Sequence, residues 1–328
     1  MRVAYFDCFS GISGAMTLGA LVDAGADLAE ITERLSQIPL EGFLLEEEAV
    51  DVLGIAATRI HVHTRPQPVI RTYSSIRAML DDAALPPRAK STAQRAFRLL
   101  AQAQSRAHGK DVEFVTFHEL GDLDALVDVI GSAIALDMLG VERVFASALP
   151  TGIGMIRTEH GMTPIPTPVV LELLQNVPTY SRGIPVELVT PTGAAILVAV
   201  AEGYGELPLM RPAQIGYGAG DIRLDFPNVL RVIVGEEERA GSAVPHALVQ
   251  ATVGADSAGS ADLLRRLLEA GARSAWATDV DRPDGDRASE ISALTPLSRR
   301  DEIVGLLRTY AFDGQVIVVS VSVPAVQL

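Results

Sequence analysis

RVAYFDCFSGISGAMTLGALVDAGAD, residues 2 to 27, reads as a strand, a glycine-rich turn and a helix. RVAYF is short and β-rich. The apolar positions Met16, Leu18, Leu21 and Val22 then fall at helical spacing, and the helix runs out at a glycine. A strand that feeds a helix through glycines opens an α/β layout, and the first amides of such a helix lack partners of their own. The turn FSGISG has neither the Lys-Ser/Thr ending of a phosphate-binding loop nor a three-glycine dinucleotide pattern. Taken by itself it serves either as a structural turn or as a ligand contact. Asp7, closing the strand, is its best candidate for holding a metal or a hydroxyl group.

Outward from this stretch, LAEITERLSQI predicts a second helix, and FLLEEEAVDVLGIAATRIHVHT predicts two strands joined through Gly54. The segments VIRTYSSIRAMLDD and RAFRLLAQAQSRAHG are helical, with a break at Pro86 and Pro87. VEFVTFHELGDLDALVDVIGSAIALDML predicts a strand, a turn around Gly121 and a strongly apolar helix. From 144 to 191 prolines exclude long regular elements, apart from a short helix over 169–174. PTGAAILVAVAEGYG is a proline-started helix, and IGYGAGDIRLDFPNVLRVIVGE a glycine loop leading into a strand. GEEERAGSAVPHA reads as a linker. After it come ALVQATV, ADLLRRLLEAGA, SAWATDV, ASEISALTP, SRRDEIVGLLRTYA and VIVVSVSV, in the order β-α-β-β-α-β. That is the ferredoxin-like pattern. The expectation is an α/β (α+β) protein with an N-terminal α/β body over 1–235 and a small ferredoxin-like domain over 246–328.

Composition narrows the function. The 328 residues carry 41 acids against 27 bases, a net charge of −14, with the two signs interleaved. Phosphate backbones need basic patches, so nucleic acid and anionic membrane are excluded as partners. One cysteine, Cys8, leaves no internal disulfide and fits a reducing compartment. MRVAYFDCF has no basic start followed by a long apolar run, and VDVIGSAIALDMLGV is broken by acids. The sequence therefore predicts a cytoplasmic protein acting on a small molecule.

The densest polar cluster is FHELGDLDALVDVIG. His118 and Glu119 leave a strand, and Asp124 and Asp128 lie one helical turn apart on the next helix. Imidazole and carboxylates at a strand end suit a divalent cation or general acid–base work. An acid-rich helix start favoured by the macrodipole explains the same residues structurally. In the functional reading His118 and Glu119 act as acid–base groups or ligands, and Asp124 or Asp128 orients the histidine. His61 and His63 alternate along a strand and share a face, which suits nickel or zinc as well as a plain polar surface. Ser10 and Ser13 of the opening turn, His160 in a proline-rich loop, and Thr190 and Thr192 at the PTG helix start complete the candidate substrate contacts. Together they predict one cavity shared by the opening turn, the His118 loop and the His160 loop.

DCFSGISG with TLGAL, RTYSSIRAML, FHELGDLDALVDVIG, HGMTPIPTP, TPTGAAIL and GYGAGD with FPNVLRV occur in one order. In that order they resemble the nickel-insertion proteins of nickel-pincer cofactor biosynthesis, the LarC family. The resemblance implies a cyclometallase that inserts nickel into a pyridinium bisthiocarboxylate mononucleotide, with cytidine triphosphate (CTP) and a divalent cation, Mn or Mg. It also implies a homo-oligomer built through the C-terminal region. Three departures stand out. Ala15 occupies a position where the family usually has aspartate, and ATVGADSAGS, with Asp256 its only acid, replaces an acidic motif of the family. The family's glycine- and lysine-rich stretch is here DRPDGDRASE. These departures imply alternatives: a repurposed enzyme that moves a proton, closes a ring or eliminates, using neither nickel nor CTP and no cofactor, or a non-catalytic nickel-binding assembly protein.

Overall fold

The opening strand lies inside a mixed sheet, and its two neighbours run in opposite senses. The computed structural model describes the chain except residues 41, 65–70, 118–122, 159–160, 239–243, 255–256, 282–286, 313 and 324–328. It divides into two units, Met1–Glu237 and Glu238–Leu328.

The first unit runs β1 (Arg2–Asp7), α1 (Gly14–Asp23), α2 (Leu28–Ser36), β2 (Phe43–Val52), β3 (Ile55–Thr64), β4 (Arg71–Thr72), α3 (Tyr73–Asp82) and α4 (Pro87–His108). It continues with β5 (Thr116–Phe117), α5 (Leu123–Met138), β6 (Arg143–Ala146), β7 (Leu149–Thr151), β8 (Met155–Thr158), β9 (Gly161–Pro164) and α6 (Pro168–Leu173). Then follow β10 (Thr179–Ser181), α7 (Pro191–Val200), β11 (Ala201–Tyr204), β12 (Met210–Ala219) and β13 (Val229–Glu237). Capping explains where the helices begin. Ser13 accepts from the Met16 amide, Asp27 from Ala29 and Glu30, and Thr190 from Gly193, with Pro191 at the first helical position.

Seven of the described strands form one sheet in the order β11-β6-β1-β13-β12-β3-β2. Five of them, β11, β6, β1, β12 and β3, run one way, and β13 and β2 run against them. Ala4 and Phe6 of β1, with Leu230, Val232 and Val234 of β13, pack into the main core under the helices. Val3, Tyr5 and Ile233 form a separate cluster, as strand alternation requires. Helix α5 is buried on nearly every side, which fits its apolar sequence.

Two readings of the sequence are corrected here. The glycines at 216 and 218 belong to strand β12, not to a loop. They are small because α1 lies directly on that strand: a Cβ at Gly218 would stand 1.8 Å from the Met16 carbonyl oxygen. The helix begun at Pro191 stops at Val200, and Ala201–Tyr204 joins β6 as an edge strand.

The second unit runs β14 (Val244–Gly254), α8 (Ser257–Glu269), β15 (Ser274–Asp281), β16 (Arg287–Pro296), α9 (Arg300–Tyr310) and β17 (Ile317–Val323). Its strands are antiparallel in the order β15-β16-β14-β17, the ferredoxin-like arrangement expected from the sequence. Val249, Ala251, Leu263, Leu267, Ile291, Ile303 and Leu307 make its own small core. Among the described residues no helix is long and apolar enough to cross a membrane.

Candidate functional site

The carboxyl ends of β1 and β6 lie side by side, and the polar turn after β1 starts there. Ser147, just past β6, donates its amide to the Phe6 carbonyl and accepts from the Cys8 amide at 2.9 Å. Gly11 takes a φ of +107°, and a Cβ on it would stand 1.9 Å from the Leu188 carbonyl oxygen, so the turn admits only glycine at this point. Next to it the chain is laced to the segment ahead of α7. The Ile12 amide donates to Leu188 at 2.9 Å and the Thr190 amide donates to Ile12 at 3.0 Å. The starts of α1 and α7 therefore meet at the turn. Thr190 and Thr192 share a hydrogen bond at 3.0 Å there.

Asp128 of α5 fills the space against the start of α1. A Cβ at Gly14 would come within 2.4 Å of its Oδ2, so glycine at 14 makes room for this carboxyl group. The residue is 8% exposed, and its Oδ1 has no hydrogen-bond partner among the described residues. Burial drives its pKa well above the ordinary aspartate value, and the charges of Asp124 and Asp221 push it the same way. An acid thus packs against the helix start whose first amides lack helical partners.

The remaining candidates take distinct places. Asp7 lies mostly covered in an ion pair with Arg231, whose Nε donates at 3.1 Å and whose Nη2 reaches the same oxygen. Ser10 is buried and donates to Asn228 Oδ1 at 3.3 Å, while Asn228 Nδ2 donates to the Ile222 carbonyl. Ser13 caps α1. Cys8 is fully buried, and burial pushes its thiol up, away from the thiolate form. Asp124 is exposed. His61 and His63 stand on the β2–β3 hairpin, where His61 Nε2 meets Glu48 and His63 Nε2 meets Glu46, each at 2.9 Å. His118, Glu119 and His160 lie outside the described residues; of the other candidates, Ser13, Asp128, Thr190 and Thr192 lie around the starts of α1 and α7, and Ser10 is turned to Asn228.

Sequence reasoning missed Arg231, Asn228, Asp221 and Arg182. The Arg182 guanidinium donates to the Phe9 carbonyl at 2.5 Å and stacks 4.1 Å from the centre of the Phe226 ring. The only signal for three of them was their place in GYGAGD and FPNVLRV; Arg182 had none. A cavity of about 530 Å³ lined by Arg88, Arg95, Asp137, Glu142 and Glu202 sits by the amino end of β6, away from these groups.

A polar turn at the carboxyl edge of a sheet, flanked by two helix starts and a buried acid, is the candidate site of this α/β protein. The family model described as nickel insertion protein matches residues 4–310, and this chain belongs to that family. It is 41% identical over 314 residues to the putative nickel insertion protein of Wolinella succinogenes, covering 94% of this chain and 78% of that one. The putative nickel insertion protein of Geobacter sp. strain M21 is 45% identical over 277 residues, 83% of this chain and 71% of that protein. The pyridinium-3,5-bisthiocarboxylic acid mononucleotide nickel insertion protein of Desulfitobacterium hafniense DCB-2 is 45% identical over 236 residues, and the match spans 72% of this chain and 59% of that protein.

Proposed function

We propose that this protein inserts nickel into a pyridinium bisthiocarboxylate mononucleotide, with CTP and a divalent cation, Mn or Mg, as co-reactants. Membership of the nickel insertion family supports the reaction class. The observation that carries the reading for this chain is Asp128, a sealed carboxyl group where the two helix starts meet. Making a carbon–nickel bond exchanges a ring C–H for C–Ni: the bonding pair goes to nickel and the proton must leave. Asp128 is the acceptor. In the free protein its burial favours the neutral acid. A pyridinium ring and Ni²⁺ are both positive, and positive charge arriving beside a buried carboxyl drives its own proton out to solvent and leaves the ionised form that takes the ring proton. The thiocarboxylates and phosphate of the substrate find positive charge at Arg231 and Arg182, and hydroxyl groups at Thr190 and Thr192.

Among the described residues no three His, Cys, Asp or Glu side chains are arranged to hold a metal ion. The acceptor and anion contacts above therefore run on the chain's own groups. Ala15, and Asp7 tied to Arg231, favour a second reading, in which the scaffold performs proton transfer, cyclisation or elimination on another small molecule without nickel or CTP.

Purified protein mixed with the mononucleotide and NiCl₂, with and without CTP and MnCl₂, separates these readings by mass spectrometry and metal analysis. We expect one nickel per product molecule, dependent on CTP. Protein that retains nickel but yields no product is an assembly protein. Absence of nickel from both the product and the protein overturns the proposal and leaves the second reading.

A further inference from the structure

The β2–β3 hairpin carries a polar ladder on one face. Arg59, His61 and His63 alternate along β3, and Glu48 and Glu46 stand on β2. Each glutamate reaches diagonally, Glu48 to His61 and Glu46 to His63. The two imidazole rings stack with centres 5.9 Å apart, and their side chains are 39% and 55% exposed. The ladder continues inward. Arg59 contacts Glu48 and Asp221, both at 3.4 Å, and donates to the Gly220 carbonyl at 3.3 Å. Asp221 in turn bears electrostatically on Asp128. Because β3, β12 and β1 run in the same direction, the histidines stand toward the same edge of the sheet as the turn after β1.

We propose that His61 and His63, backed by Glu46 and Glu48, form a surface capture site for a divalent borderline metal ion, which loads nickel at the edge of the sheet that carries the insertion site. That the ion is nickel rests on the function proposed above. Imidazole with carboxylate support suits nickel and zinc, whereas magnesium requires oxygen ligands. A metal bound at about 2.1 Å to one nitrogen of each ring fits between rings at this spacing after side-chain rotation. In the present rotamers each ring nitrogen is held by its glutamate and no third ligand converges among the described residues, so the captured ion is completed by water. Two protein ligands with exchangeable water suit an ion that must be handed on. The acids beside the rings raise the local concentration of cations, and the line through Asp221 extends that field toward Asp128.

Equilibrium dialysis of the full chain against NiCl₂, in a large excess of MgCl₂ at neutral pH, tests this. Wild type should bind one nickel ion more than the double variant His61→Gln/His63→Gln. The variant Glu46→Gln/Glu48→Gln should keep that ion but bind it about tenfold more weakly, or weaker still. The four side chains are exposed, so circular dichroism should show both variants folded. Equal nickel stoichiometry and affinity in wild type and the histidine variant would overturn the site, as would displacement of that ion by magnesium. Ladder-dependent binding in a protein that makes no nickel-bearing product would sink the proposed function while the capture site stood. Product formation with no ladder-dependent ion would do the reverse.

Discussion

Gly218→Val is expected to abolish stable folding of the Met1–Glu237 unit. The added Cβ would stand 1.8 Å from the Met16 carbonyl oxygen and 2.6 Å from the Ala20 amide nitrogen, both backbone atoms of α1. A side chain in the way can turn aside, but helix backbone can only move as a body. Here such movement lifts α1 off β12 and disturbs the contact with Gly216, where a Cβ would be 2.0 Å from the Ala20 carbonyl oxygen. Overpacking a core ordinarily costs about 1–3 kcal/mol, and a clash with backbone lies at or beyond the top of that range. A domain holds only about 5–15 kcal/mol in all. Thermal unfolding followed by near-ultraviolet circular dichroism should show the tertiary signal reduced or lost. A melting temperature equal to that of wild type would mean that the helix and strand are not in such close contact.

Asp128→Asn is expected to stabilise the protein increasingly as pH rises. The folded chain keeps the carboxyl proton at pH values where the unfolded chain, with an ordinary aspartate pKa of about 3.9, has already released it. The folded state therefore binds more protons, and each pH unit above about 4 removes about 1.4 kcal/mol of stability until the raised folded pKa is passed. This contribution is complete below the unfolded pKa and is lost on the way up to the folded one. Asparagine does not titrate. The gap between variant and wild type should open from about pH 4 and then level off, read by urea denaturation across a pH series. A gap that stays flat with pH would mean the carboxylate is already ionised at rest. A buried acid that weakens its own fold and is nevertheless present fits a group placed for chemistry.

Much of this architecture is legible in the chain because local signals and tertiary needs agree. The glycine-rich turn ahead of Met16 and Pro191 mark helix starts, Gly54 marks a hairpin, and the alternation after residue 246 marks the ferredoxin-like unit. Reading fails where a residue is chosen for a distant neighbour. Gly216 and Gly218 look like loop glycines but serve the approach of α1, and AEGY looks like the end of a helix but pairs with β6. The site follows the same division. The turn after β1 and the PTG helix start can be picked out from sequence, but their meeting depends on backbone bonds between Ile12 and residues 188 and 190. Asp7 and Arg231 are separated by 224 positions, so their pairing leaves no local trace. The acids of FHELGDLDALVDVIG are visible as a cluster, yet only packing against Gly14 distinguishes buried Asp128 from exposed Asp124.

The most direct test of the central claim is the nickel content of the mononucleotide after a single turnover by Asp128→Asn protein, compared with wild type. If the carboxyl group beside the start of α1 takes up the ring proton, the variant should remain folded and transfer nickel about a hundredfold more slowly or worse. Transfer at the wild-type rate would contradict the account and place the insertion chemistry away from the turn after β1.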